Sequence, residues 1–317
     1  MSNRYNRKIA ALCATVGVLA LVYAGLVVFD SEKARGPSFS WLETKWADQA
    51  DRIEIAGDGG SVTLVRKNGL WFVSRDAAEY PAKQARVQDF LSILTAKGRY
   101  AVRGTEASSH ERLGLTEDAA SRVTVRAGVA PYPVLDLLVG NRDSTGKEVY
   151  LRKSGAAEVR SGEDRISDYA DSRPEAWLNL RLFPEADYLK SEAVQRLRIE
   201  RPAVEGQPRS VLSLSRRDGG WTAESLSATD SGQVESYLNA LLAAEGEDFL
   251  PEAPDTLQAE GRIILEPGNG QEVILFVGGL SESKRRSAWI TGGAFTYSLA
   301  EWTLSRLFRD DSYFARP

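Results

Sequence analysis

The sequence predicts an α+β fold: an N-terminal transmembrane helix followed by two tandem homologous α+β domains with mainly antiparallel sheets. Three observations predict it. Ile9–Phe29 is an apolar run without a charge. A strand–turn–strand signal with a trailing Trp occurs twice, in VTLVRKNGLW (Val62–Trp71) and LSLSRRDGGW (Leu212–Trp221). The ending WLNLRLFPEADYL (Trp177–Leu189) returns as WTLSRLFRDDSYF (Trp302–Phe314), with Trp, Arg, Leu, Phe and Tyr at equal offsets.

The apolar run comes first. As a helix it spans about 31 Å, close to the roughly 30 Å of a bilayer core. Arg4, Arg7 and Lys8 precede it closely, and Asp30 and Glu32 follow. Lys33, Arg35 and Lys45 lie further on. The denser basic cluster before the run orients the N-terminus to the cytoplasm. A cleaved signal peptide, with a site near Val22-Tyr23-Ala24 removing residues 1–24, is the rival reading, but its apolar core is normally shorter. Cys13 lies within the run and is an ordinary lipid-facing residue on this reading. The expected organisation is a cytoplasmic tail at 1–8, a transmembrane helix at 9–29, a tether at 30–47, a first repeat at 48–190 and a second at 191–317. The tether holds Trp41 and Trp46, which either pack on the domain or sit at a membrane interface. The expected localisation is the bacterial inner membrane, single-pass, with the bulk of the chain periplasmic.

Inside each repeat the elements follow one order. RIEI and RLRIE alternate Ile53/Ile55 and Leu197/Ile199. The matched hairpins turn at Asn68-Gly69 and Asp218-Gly219, dipeptides that accept the left-handed angles of a two-residue turn. An amphipathic helix follows in each, with Val87, Phe90, Leu91 and Leu94 answered by Val234, Tyr237, Leu238 and Leu241. Paired strands come next, VTVRA and PVLDLLVGN against RIILEP and EVILFVGG. EVYLR and SAWIT then place Tyr150 and Trp289 alike. The twin endings read as closing helices that bury Trp177 and Trp302.

Composition narrows the chemistry. With 43% hydrophobic and 26% charged residues, the 317-residue chain is a folded protein. A net charge of −4 gives no basic surplus for nucleic acid. One Cys and one His exclude a Cys/His zinc site and an intrachain disulfide. His110, in SSHERLGL, reads as a structural residue where a loop enters a helical turn. Asp310-Asp311 and the Glu185/Asp187 pair read as solvated turn residues, and Lys284-Arg285-Arg286 as a basic hairpin tip. The glycine clusters lack the context of a phosphate loop or dinucleotide site. Trp71 and Trp221, repeated beside a hairpin, read as core rather than stacking platforms. No catalytic, metal-binding or cofactor-binding residue is assigned, and no cofactor is expected.

A membrane anchor leading into tandem strand–Trp–helix–strand units, with GLWFV, EYPAKQARVQDFL, GLTEDAASRVTV, LLVGN and EVYLR in the first, resembles a bacterial family of uncharacterised, membrane-anchored tandem-repeat domains. Genes of that family lie beside ABC transporter genes of the gliding-motility or auxiliary type. The second copy departs from the pattern, with SATDSGQ where the first has Tyr80-Pro81 before its helix. The resemblance implies no catalytic residue. It implies a non-catalytic extracytoplasmic accessory or scaffold subunit of an ABC-transporter-like or envelope-assembly complex. The expected partners are the lipid bilayer and a membrane or envelope protein complex, with no nucleic acid. The alternative expectation is a small-molecule or glycan binding module using the groove between the repeats.

Overall fold

Apolar residues on alternate positions build the first sheet. In β2 (Ala50–Gly57), β3 (Gly60–Lys67) and β4 (Leu70–Arg75), the pairs Ile53↔Leu64, Ile55↔Val62 and Leu64↔Val73 face each other, and all are buried. The computed structural model describes residues 22–23, 38–128, 130–163, 165–202, 210–254, 257–281 and 284–316. The chain divides into two compact units, Met1–Leu178 and Asn179–Pro317.

Unit 1 opens with β1 (Ser38–Phe39) and the short helix α1 (Thr44–Gln49). After β4 come β5 (Ala78–Pro81), α2 (Gln84–Thr95), β6 (Gly98–Arg99), β7 (Ala101–Gly104) and α3 (Ala107–Arg112). The unit then adds β8 (Ser121–Ala127), β9 (Leu135–Arg142), β10 (Glu148–Lys153) and β11 (Val159–Glu163). Its main sheet is antiparallel, in the order β5-β4-β3-β2-β8-β9-β10-β11-β7. The stripe Val87, Phe90, Leu91 and Leu94 of α2 is buried.

Unit 2 holds β12 (Val194–Glu200), β13 (Val211–Arg217), β14 (Gly220–Ala223), α4 (Ser231–Leu242), β15 (Asp248–Leu250), β16 (Ala259–Pro267), β17 (Val273–Leu280), β18 (Arg286–Ile290), β19 (Thr296–Leu299), α5 (Glu301–Leu307) and α6 (Asp311–Phe314). Its sheet order, β14-β13-β12-β16-β17-β18-β19-β15, repeats that of unit 1 strand for strand, without a counterpart of β5. The missing strand falls where SATDSGQ replaces the residues around Tyr80-Pro81. There Asp230 caps α4 by accepting hydrogen bonds from the N–H groups of Gly232 and Gln233.

Both hairpins turn as their dipeptides require. Asn68 and Gly69 have φ of 50° and 84°, and Asp218 and Gly219 have 50° and 77°. The following Trp is buried in each unit and is tied to the first residue of the long helix. Gln84 accepts from the Trp71 N–H at 2.9 Å and donates to the Trp71 carbonyl at 2.8 Å. In unit 2 the Ser231 hydroxyl accepts from the Trp221 N–H at 2.8 Å. A cross-strand Arg lies over each indole, Arg66 at 6.0 Å and Arg216 at 4.8 Å from the ring centre.

Several expectations are corrected. The structure is mostly antiparallel sheet, 42% strand against 22% helix, rather than the expected α+β, and no transmembrane helix is found among the described residues. Short strands such as β7 and β15 carry no alternation of their own; pairing at the sheet edge makes them strands. No helix among the described residues is long and apolar enough to cross a membrane. Crossing takes about 20 apolar helical residues, while α2 and α4 have 12 each and bury one face only. The single-pass inner-membrane localisation is corrected with it. Of Ile9–Phe29, only Val22 and Tyr23 are among the described residues; the tail at 1–8 and residues 30–37 of the tether also lie outside them.

The twin endings are not twins in space. Trp177 is fully buried, whereas Trp302 is 58% exposed. Trp177–Leu189 forms no α-helix, only a 3-10 turn at Asp187–Leu189. Its first residues belong to unit 1, where Leu178 bridges Ala82. Its continuation belongs to unit 2, where the Leu182 N–H donates to the Ala244 carbonyl at 2.9 Å. Tyr150 and Trp289 are not in like places either. Val139 faces Leu151 as Val277 faces Ala288, which makes Arg152 the counterpart of Trp289.

Candidate binding clefts

Unit 2 has two clefts around the C-terminal end of α4. One cleft, of about 290 Å³, is walled by Leu241, Ala244, Thr303 and Leu307, with Trp302 and Arg306 at its edge. The short helix α5 that carries Trp302 is fastened at both ends. Glu247 accepts from the Ala300 N–H at 2.6 Å, one of the orphan backbone donors of the N-terminus, and from the Thr303 hydroxyl at 2.7 Å. The Tyr237 hydroxyl donates to the Leu307 carbonyl at the other end. Burial holds the Tyr237 hydroxyl far above its ordinary titration range, so it stays a donor. Arg306 lies 5.8 Å from the Trp302 ring centre. The most exposed Trp of the described core thus stands on a rigid support.

A second cleft, of about 500 Å³, flanks the same end of α4. Asn239, Leu242 and Ala243 form one wall, and the segment Pro184–Glu192 forms the other. Four of its charged residues form two ion pairs. Arg181 bridges Glu185, and Lys190 lies 2.9 Å from Asp187. The Lys190 hydrogen bond holds the Asp187 carboxyl below the usual carboxylate range, and the same contact raises Lys190. Unit 1 has a comparable cleft of about 430 Å³ where Thr44, Ala47 and Asp48 face Gln88, Leu91, Ser92 and Thr95 of α2.

The residues singled out from the sequence are scattered rather than convergent. His110 lies on α3, half-buried, with Nε2 2.9 Å from the Ala157 carbonyl. Asp310 occupies the N-cap position of α6 without a side-chain capping bond, and Asp311 is 2.7 Å from the largely buried Arg201. Arg286 is not a free loop cation: it pairs with Glu260 at 2.5 Å and donates to the Gly278 carbonyl. Lys284 sits at φ 57° in the turn beside it. Among the described residues no group of three or more His, Cys, Asp or Glu is placed to hold a metal ion. Sequence reasoning missed the exposure of Trp302. The signal that would have found it is the i, i+4 pair Thr303 and Leu307, the buried stripe of α5, which Trp302 lies off.

No curated protein and no solved structure matches the chain. One family model does, over residues 71–262, from the hairpin Trp of unit 1 into β16 of unit 2 and more than half of the chain. The chain belongs to the family of that model, the domain of unknown function DUF4340.

Proposed function

We propose that this protein is a non-catalytic accessory or scaffold subunit that holds a protein partner at the α4–α5 face of unit 2. The observation that carries the reading is Trp302, 58% exposed beside an apolar cleft on a helix fastened at both ends. Trp and Arg are the side chains that most often dominate protein–protein binding energy, and here Arg306 stacks beside the indole. A rigid anchor reduces the ordering cost of association. The one imidazole of the chain, His110, is engaged with a backbone carbonyl, which fits a structural assignment. The partner class, a subunit of an ABC-transporter-like complex, rests on the family resemblance alone.

The test is affinity co-purification of the full chain with its native complex, repeated with Trp302→Ala. The expected result is recovery of an ABC-type subunit by the natural chain and at least tenfold less by the variant, at unchanged melting temperature. Equal recovery by both, or recovery of no ABC-type subunit, would overturn the proposal.

A further inference from the structure

The turn between β10 and β11 is built again, residue for residue, between β18 and β19. Gly155 and Gly292 have φ of 73° and 68°. The Ser154 N–H donates to Asp136 as the Thr291 N–H donates to Ile274, and the Ala156 N–H to Lys153 as the Gly293 N–H to Ile290. Tyr297 opposite Ala288 matches Arg160 opposite Leu151. On this gap-free alignment, Lys153, Glu158 and Arg160 of unit 1 stand where unit 2 has Ile290, Phe295 and Tyr297.

The two units use the turn in opposite ways. In unit 2, Phe295 and Tyr297 pack against Phe249 at 5.4 and 5.0 Å between ring centres. The space is filled by the protein itself. In unit 1 a cleft of about 280 Å³ lies there, lined by Phe39, Trp41, Lys153, Ala156, Glu158 and Arg160. Phe39, Trp41 and Tyr100 form a ring cluster with centres 5.0 to 5.1 Å apart. Arg160 lies 4.9 Å over Phe39 and is held by Glu158 and by the Tyr100 carbonyl. The Trp41 indole is only 5% exposed, and its N–H has no hydrogen-bond partner. That nitrogen has almost no accessible surface, so it is a sealed donor in the wall of the cleft and not a ligand contact. Lys153 is exposed, with no ion pair among the described residues.

We propose that this cleft binds a single acidic sugar ring, a hexuronate, alone or at the end of a glycan. Four requirements converge. The Phe39 and Trp41 rings of the lining give an apolar wall for the C–H groups of a pyranose, Lys153 takes a carboxylate, Glu158 accepts from hydroxyl groups, and Arg160 donates to ring or hydroxyl oxygens. An aromatic acid lacks the donors that Glu158 faces, and inorganic phosphate lacks an apolar face. The volume sits at the lower edge of ordinary ligand sites, about 300 Å³, which limits the occupant to about one ring. The site lies wholly in unit 1 and does not depend on the Trp302 surface.

The test is titration of the full chain with D-glucuronate, followed by calorimetry and by the indole N–H resonances, with glucose, benzoate and phosphate as comparison probes. The expected result is saturable glucuronate binding that shifts one indole resonance, is at least tenfold weaker for glucose, and falls at least tenfold in Lys153→Ile and Lys153→Gln. Lys153→Ile installs the residue that unit 2 already tolerates at this turn, and Lys153→Gln keeps a polar side chain at the exposed site. The proposal is overturned by absence of saturable binding to the natural chain, by benzoate or phosphate binding as tightly as glucuronate, or by folded Lys153 variants that bind unchanged.

Discussion

Trp177 and Phe314 hold the same post in the two units. The Trp177 carbonyl accepts from the Lys83 N–H at 2.8 Å, ahead of α2, and the Phe314 carbonyl accepts from the Asp230 N–H at 2.9 Å, ahead of α4. The bridges that follow, Ala82↔Leu178 and Thr229↔Ala315, correspond as well. Each ring packs on the matching helix residue, Trp177 on Phe90 at 5.8 Å and Phe314 on Tyr237 at 5.1 Å. Trp177→Ala and Phe314→Ala are therefore expected to destabilise their own units by about 3–5 kcal/mol each. Trp302→Ala should stay within about 0.5 kcal/mol, as surface changes do. Urea unfolding of the three variants checks the contrast.

The tie between hairpin and helix gives a second expectation. Gln84 satisfies both backbone groups of Trp71 and also donates to the Ala82 carbonyl at 2.8 Å. Gln84→Ala leaves the Trp71 N–H unmet in a half-buried place, while the carbonyl keeps the Ala82 N–H at 3.1 Å, and should cost about 1–3 kcal/mol. Ser231→Ala removes one bond to Trp221 and should cost less, about 0.5–1.5 kcal/mol. Hydrogen exchange at Trp71 and Trp221 should rise in the respective variant only.

Arg152 supplies a third. It is 7% exposed, and its guanidinium donates to the carbonyls of Leu115, at 2.8 Å, and Ala156, at 3.0 Å. Its counterpart Trp289 stacks on Phe276 instead, 5.5 Å between ring centres. Arg152→Ala strands two carbonyls and empties a large volume, so a loss of about 3 kcal/mol or more is expected. Thermal unfolding gives the measurement; a shift of the melting temperature within error would refute the assignment.

Acid sensitivity follows from Asp143, in the turn between β9 and β10. The Thr145 hydroxyl, and then the N–H groups of Glu148 and Lys147, hold its carboxyl down to about 2. A carboxyl depressed on folding lends stability that is whole above its unfolded value, near 3.9, and is lost as pH falls through about 2. Asp143→Asn should be less stable than the natural chain at neutral pH, with the gap narrowing between about pH 4 and 2. Melting curves across that window read the effect.

What the sequence disclosed was local. The stripes at Val87–Leu94 and Val234–Leu241 and the turns at Asn68-Gly69 and Asp218-Gly219 depend on neighbours within a few residues, and the structure has them as read. The echo of WLNLRLF in WTLSRLF misled because matching letters do not fix which element follows. Phe314, twelve residues beyond Trp302, takes the place that Trp177 holds in unit 1. The short strands escaped because only their sheet partners make them strands. The unit 1 cleft was equally hidden. Phe39 and Trp41 meet Lys153, Glu158 and Arg160 only after the β10–β11 turn has formed, across more than a hundred residues of chain.

The duplicated turn makes every molecule its own reference cell. A fluorine label at position 157 reports the turn beside the charged cleft, and the same label at position 294 reports an identical backbone closed over by Phe295. Recorded from one doubly labelled sample, the difference between the two signals cancels concentration, temperature and instrument drift. What remains is the contrast between the charged cleft of Lys153, Glu158 and Arg160 and the aromatic packing of Phe295 and Tyr297 on Phe249.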